Sequence, residues 1–143
     1  MSYRYARIRL QETTYQPEVE WHYINSIDID ELNRIYRRYC DYKRFASVMP
    51  IFDAQYLDPE TDVIGYTDQG KLVAFSLIKR FDSKNAQAMQ FAWTYHRPKL
   101  RLGISSLRTE CAIYRDRGFE FLYLDQADNY KSEIQGFEIL GPL

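Results

Sequence analysis

Apolar and polar residues alternate from Tyr3 to Leu10, with Ala6, Ile8 and Leu10 on one side and Arg7 and Arg9 on the other. This period of two predicts a strand with one wet face. Val19 to Tyr23 alternates in the same way. The period then lengthens: from Ile29, apolar residues recur at Leu32, Ile35, Tyr36, Tyr39 and Cys40, the spacing of one helix face. Asp28 with Glu31 three residues later forms a capping box, so a helix is expected from Ile29 to about Phe45. A second, shorter helix is expected over about Ser47 to Leu57, with Pro50 in its first turn.

The middle of the chain reads as β. Val63 to Thr67 and Lys71 to Arg80 flank Asp68-Gln69-Gly70, a hairpin signal. Ala86 to Tyr95 follows, with Met89, Phe91, Trp93 and Tyr95 expected on one face and Ala88, Gln90, Ala92 and Thr94 on a flatter one. After His96-Arg97-Pro98, the residues Ile104, Leu107, Cys111 and Tyr114 mark a helix that ends at Gly118, with Arg115 and Arg117 in its last turn. Phe119 to Asp125 is nearly continuous apolar, as in a strand covered on both faces. A short helix around Asn129 to Gln135 and a strand from Phe137 to Leu140 complete the order. An α+β fold results, a mixed and mostly antiparallel sheet with helices on both faces.

Length and composition narrow the class. At 143 residues, 45% hydrophobic and 27% charged, the chain is expected to form a single domain with a substantial core. No apolar run approaches the roughly 20 residues that cross a bilayer, and arginines interrupt the first residues, so no membrane is expected as partner and the expected location is cytosolic. Cys40 and Cys111 have no metal-ligand spacing, and are expected to be reduced packing residues. A net charge of −1 gives no global attraction for nucleic acid. The 13 tyrosines are expected to serve an aromatic core. Ile35 to Arg44 is a basic, aromatic helix stretch, read either as a solvated outer face or as a contact for RNA or another acidic partner.

The stretch Arg101-Leu102-Gly103-Ile104-Ser105-Ser106-Leu107-Arg108-Thr109-Glu110 carries the candidate chemistry. Two readings stand side by side: serine capping of an ordinary helix, or a helix start whose open amides and glycine admit a phosphate group, with Arg97, Lys99 and Arg101 just upstream.

The order of elements resembles that of the Gcn5-related N-acetyltransferase (GNAT) superfamily, over roughly Trp21 to Leu140. In that family the helix start after the fourth strand binds the diphosphate of coenzyme A, and the exposed backbone of that strand holds the pantetheine arm where it splays from the fifth. The family's signature places Gln or Arg three residues before a glycine and Gly or Ala two after it. Here Gly103 matches, while Leu100 and Ser105 occupy the outer positions. Leu102 to Glu110 also resembles a Leu-Gly-x-x-Ser-Leu-x-x-Glu stretch in the aminoacyl-tRNA-dependent arginyl, leucyl or phenylalanyl and peptidoglycan-bridge transferases, and Tyr130 to Phe137 is similar to their later Tyr-Lys segment.

The resemblance implies an acyltransferase moving an acyl group, acetyl first, from coenzyme A to a protein or small-molecule amine. The alternatives it leaves are transfer from aminoacyl-tRNA and an inactive binding protein. It implies donor contacts from Trp93, Tyr95, Arg101, Leu102, Gly103, Ile104, Ser105, Ser106, Asn129 and Lys131. Amide formation needs a proton donor for the leaving group and a base for the amine. Tyr95 and Tyr130 are the expected acids, and Asp125 the expected base with Glu110 and His96 behind it. Core packing competes for each tyrosine, and a solvent-facing or salt-bridged role is the default for Glu110. No metal is expected, and an exposed aromatic strand edge would accommodate a homodimer.

Overall fold

A computed structural model gives the structure of residues 6–43, 56–94, 102–124 and 129–140, to which all structural statements refer. Strands are β1 (Ala6–Arg9), β2 (Glu20–Tyr23), β3 (Thr61–Asp68), β4 (Lys71–Arg80), β5 (Asn85–Trp93), β6 (Phe121–Leu124) and β7 (Phe137–Ile139). Helices are α1 (Ile29–Lys43) and α2 (Leu102–Asp116), with 3-10 turns at Leu10–Glu12 and Asn129–Glu133. The strands form one sheet in the order β2-β3-β4-β5-β6-β1-β7. Every neighbouring pair is antiparallel except β5 and β6, which run parallel on either side of α2 in the chain. The α+β sheet with a helix on each face is therefore the observed architecture. The expected helix over 47–57 lies outside the described residues apart from its last two.

Periodicity becomes packing as expected for α1. The Asp28 carboxylate accepts the Glu31 N–H at 3.2 Å and caps the helix. Leu32, Ile35 and Cys40 are buried. They cover one face of the sheet, where Leu32 and Ile35 meet Val63, Phe75, Leu77 and Ala92. On the other face Leu107, Cys111 and Tyr114 of α2 meet Ile64, Tyr66, Ala86, Trp93 and Leu122. The C-terminal end of α2 is held by a buried-to-surface relay: the Tyr114 hydroxyl donates to Asp62 at 2.6 Å and Arg117 donates to the same oxygen at 2.8 Å. Gly118 N–H then bonds the Arg115 carbonyl and Phe119 N–H the Tyr114 carbonyl, closing the helix in a Schellman pattern.

Two expectations about faces are corrected. In β5 the register to β4 steps from Leu77↔Gln90 to Ile78↔Ala88, which leaves Met89 as the extra residue of a bulge. The strict alternation ends there: Phe91 packs on the α2 side with Ala88, whereas Met89 packs on the α1 side with Ala92. Strand β6 is not equally covered on both faces. Leu122 and Leu124 are buried, while Phe121 and Tyr123 are half-buried under arginine. The Arg7 guanidinium lies 4.0 Å from the Phe121 ring centre and donates to Glu138 at 2.7 Å. Arg9 pairs with Glu138 as well. The nominally wet face of β1 is thus a cation-π and ion-pair layer across three strands.

Gly136 shows how closely the last turn meets β1. Its φ is +75°, its carbonyl accepts the Arg9 N–H at 2.8 Å, and a Cβ there would collide with the Arg9 carbonyl oxygen. Both the backbone conformation and the space demand glycine. Gly136→Ala is expected to cost about 2 kcal/mol or more, read as a lower urea midpoint at unchanged m-value; a midpoint within error of the wild type would refute the close approach.

Candidate active site

Strands β5 and β6 accompany each other only from Asn85↔Phe121 to Ala88↔Leu124. Beyond that point β5 runs on for five residues, Met89 to Trp93, paired with β4 alone among the described strands. The bulge at Met89 follows directly on the last described pair with β6. The Thr94 N–H donates to the Val73 carbonyl at 2.9 Å, which makes Trp93↔Ala74 a non-hydrogen-bonded pair. By alternation Phe91↔Ser76 is another, so the peptide groups of Phe91 and Trp93 point away from β4. An extended ligand with amides of its own would continue the ladder there.

The connection β5–α2–β6 joins parallel neighbours, so α2 must run back along the sheet and begin at the end toward which β5 points. Leu102 is fully buried in the same cluster as Trp93, which anchors that start. A helix beginning at Leu102 leaves the N–H groups of Leu102, Gly103 and Ile104 without acceptors inside the helix. The amides of Ser105 and Ser106 lie deeper in the helix, where the ladder supplies acceptors. The Ser106 hydroxyl is turned back onto the Gly103 carbonyl at 3.2 Å. A Cβ placed on Gly103 would meet nothing within 4 Å. Packing therefore does not require glycine at this position, and the space beside it is what a closely approaching group would occupy.

Glu110 departs most from its expected role. It is 4% exposed, facing the sheet instead of solvent. The Tyr66 hydroxyl donates to its Oε2 at 2.6 Å and the Ser76 hydroxyl to the same oxygen at 2.9 Å. Burial pushes its carboxyl up to about 7, against the two hydroxyls and the charge of Lys131, which pull it down. Ser76 is in register with Phe91, so this carboxyl lies beneath the stretch of β5 paired with β4 alone among the described strands. On the α1 face a second polar group sits at the bulge, where the Tyr56 hydroxyl donates to Gln90 Oε1. Burial and neighbouring Cys40 raise the Tyr36 hydroxyl above its ordinary value, with Gln90 opposing.

The expected site residues fall as follows. Trp93, Leu102, Gly103, Ile104, Ser105 and Ser106 gather at the end of β5 and the start of α2. The backbone of Asn129, Tyr130 and Lys131 forms the 3-10 turn after β6, and the Lys131 charge reaches Glu110. Tyr95, Arg101 and Asp125, like His96, lie outside the described residues. Sequence reading missed Tyr66, Ser76, Tyr36, Tyr56 and Gln90. The one available signal was Gln90, a lone amide on an otherwise small-residue face. Among the described residues no group of three metal-ligating side chains is found, and no helix is long and apolar enough to cross a membrane.

No protein-family model and no curated protein matches the sequence. Solved structures do match. L-PGS from Bacillus licheniformis superposes with a TM-score of 0.69 at 13% identity, covering 90% of this chain and 48% of its own. A GCN5-related N-acetyltransferase from Anabaena variabilis gives 0.66 at 11% identity, covering 98% of this chain and 38% of its own. A GNAT family acetyltransferase from Elizabethkingia anophelis, solved with acetyl-CoA bound, gives 0.53 at 7% identity over 76% of this chain and 65% of its own. This chain thus spans about half the length of L-PGS and less of the Anabaena protein. The fold it shares with all three is the acetyltransferase-like, or GNAT, fold.

Glu110 gives stability a pH dependence of known sign. Its folded value, about 7, lies above the ordinary carboxylate value of 4.5, so the folded state holds the proton where the unfolded state has lost it. The stabilisation is full below about pH 4.5 and is lost as pH rises through 7. The wild type is expected to lose on the order of 3 kcal/mol across that window from this group. Glu110→Gln should flatten that part of the curve in urea melts taken from pH 4.5 to 7.5; an unchanged slope would refute the assignment.

Proposed function

We propose that the protein is an acyltransferase that moves an acyl group, acetyl in the first instance, from coenzyme A to an amine. The observation that carries this is the stretch Met89 to Trp93 of β5, paired with β4 alone among the described strands, with the start of α2 in the same buried cluster as Trp93. A pantetheine arm carries two amides, which suit the peptide groups of Phe91 and its neighbours in an added-strand arrangement. A diphosphate suits the amides of Leu102 to Ile104 and the positive end of the helix dipole, and the missing Cβ of Gly103 lets it approach. The acetyl-CoA bound in the Elizabethkingia structure supports a ligand of this type on this fold.

Acyl-CoA, when bound, supplies a thioester carbonyl. The amine nitrogen attacks that carbon, a C–N bond forms, the C–S bond breaks, and the proton given up by the amine balances the thiolate released as thiol. Backbone N–H groups at the β5 edge are placed to steady charge developing on the carbonyl oxygen. Tyr95, two residues beyond Trp93, and Tyr130, in the turn after β6, are the proposed proton donors, and Asp125 the proposed base. A cytosolic location accords with this chemistry.

A second reading has its own observation. The stretch Leu102 to Glu110, similar to the aminoacyl-tRNA-dependent transferases, forms the first half of α2, and the fold is shared with L-PGS. An ester to tRNA would then replace the thioester. Purified protein warmed with acetyl-CoA, coenzyme A or charged tRNA separates the two, since a ligand at a hundredfold excess over its Kd stabilises by roughly 2.7 kcal/mol. No shift with any donor would leave a binding protein without transfer activity.

Gly103→Val is expected to weaken acetyl-CoA binding at least about tenfold, or about 1.4 kcal/mol, in titration calorimetry. The variant should fold, because the added side chain enters open space. Donor affinity unchanged in the folded variant would remove the phosphate cradle. Tyr95→Phe and Tyr130→Phe separate the two acids: the true one should lower kcat by about a hundredfold or more with little change in KM.

A further inference from the structure

Seven of the described cations are held in ion pairs: Arg7 and Arg9 with Glu138, Arg80 and Arg117 with Asp62, Lys84 with Glu120, Arg108 with Glu18 and Arg115 with Asp116. A cavity of about 520 Å³ departs from this pattern. It opens between α1 and the hairpin turn joining β3 to β4, and its lining includes Arg34, Arg38, Lys71, Glu31 and Thr94. All three cations are exposed, and none takes part in an ion pair or hydrogen bond among the described residues. Arg34 and Arg38 stand one turn apart on α1, and Lys71 faces them from the start of β4. Among the described lining residues Glu31 is the single acid, against three cations.

Position gives this charge a meaning. Thr94 follows Trp93 directly, so the cavity adjoins the end of β5, beyond its described pairing with β6. It lies on the α1 face of the sheet, whereas the open start of α2 belongs to the opposite face. A donor whose phosphates rest on α2 leaves the α1 face for the other substrate. Resting on the acyltransfer reading above, we propose that the cavity holds the anionic tail of the amine acceptor, a phosphate or carboxylate group set between Arg34, Arg38 and Lys71. Arginine forks bind both groups through paired hydrogen bonds, and a lysine adds a point charge. The volume falls in the range of small-molecule sites. With its tail fixed there, the acceptor's amine extends toward the exposed edge of β5.

Two measurements test this, one of them independent of turnover. In calorimetry, O-phosphoethanolamine and glutamate are titrated into the whole chain, with ethanolamine and glutamine as neutral counterparts, up to about 10 mM, tenfold above a millimolar Kd. In parallel, all four amines are offered with acetyl-CoA and kcat/KM is compared. The anionic member of each pair is expected to bind and react at least about tenfold better. Arg34→Ala/Arg38→Ala/Lys71→Ala should abolish that preference, as should raising salt from roughly 0.05 to 0.3 M. The phosphate and carboxylate arms show which tail the cavity takes. Arg38→Ala alone serves if the triple variant does not fold, and Lys79→Ala, on β4 outside the cavity, is the charge control.

Failure of this inference differs from failure of the acyltransfer reading. Anion binding that disappears in the variant, with no amine acetylated, keeps the cavity and overturns the donor. Acetylation with no preference between paired amines does the reverse. Absence of binding by either anion, or equal binding by wild type and triple variant, overturns the cavity.

Discussion

Strand β5 is the element on which the candidate site depends: among the described residues its parallel pairing with β6 runs from Asn85↔Phe121 to Ala88↔Leu124, and it continues along β4 to Trp93. Backbone donors and acceptors seldom go without partners, so peptide groups that point away from β4 call for a partner on their other side. The bulge at Met89 bends the strand and increases its twist just past the last described pair with β6. The helix that follows then places its own unsatisfied amides at the same end. Two sets of donors with one orientation arise from ordinary strand and helix geometry, without a catalytic side chain having been specified.

Helix α2 bears the cost of holding this arrangement. Its inner face is not simply apolar, because Glu110 is carried into the core and met by two hydroxyls from β3 and β4. Desolvation is expensive for a carboxylate, and the two donors offset part of it. One turn further on, Tyr114 and Arg117 converge on Asp62, so polar anchors on β3 and β4 hold the C-terminal half of the helix, while buried Leu102 seats its start. A helix tied in this way is a rigid base for the amides at its start, and rigidity is what a preorganised binding site requires.

Much of the fold was legible in the chain. Alternation located β1 and β2, the hairpin signal at Asp68 to Gly70 located β3 and β4, and the spacing of Leu32, Ile35 and Cys40 gave the inner face of α1. The candidate site was legible only in part. Gly103 stood out as the glycine of a helix start that matches one position of the family signature, and the space where its side chain would lie is open. The bulge left no local mark: a one-residue insertion reverses the faces of the residues around it while every residue keeps its strand propensity. Glu110 was assigned by residue type to solvent. Its position, three after Leu107 and four before Tyr114, places it on the buried stripe, and that spacing was the better guide. Charge neutrality of the whole chain concealed the basic cavity, since the sum of charges says nothing about their placement.

The place of β1 carries a separate consequence. It lies between β6 and β7, so its partners are Leu124 and Ile139, more than a hundred residues downstream. Such distant closure slows folding, because the entropy of a long loop is spent before the contact repays it. During synthesis Ala6 to Arg9 is made more than a hundred residues before the strands that flank it, and waits with both edges uncovered until they follow. Over that interval the nascent chain holds an adhesive ribbon, and the arginines that later stack on Phe121 serve in the meantime to keep it from pairing with strangers.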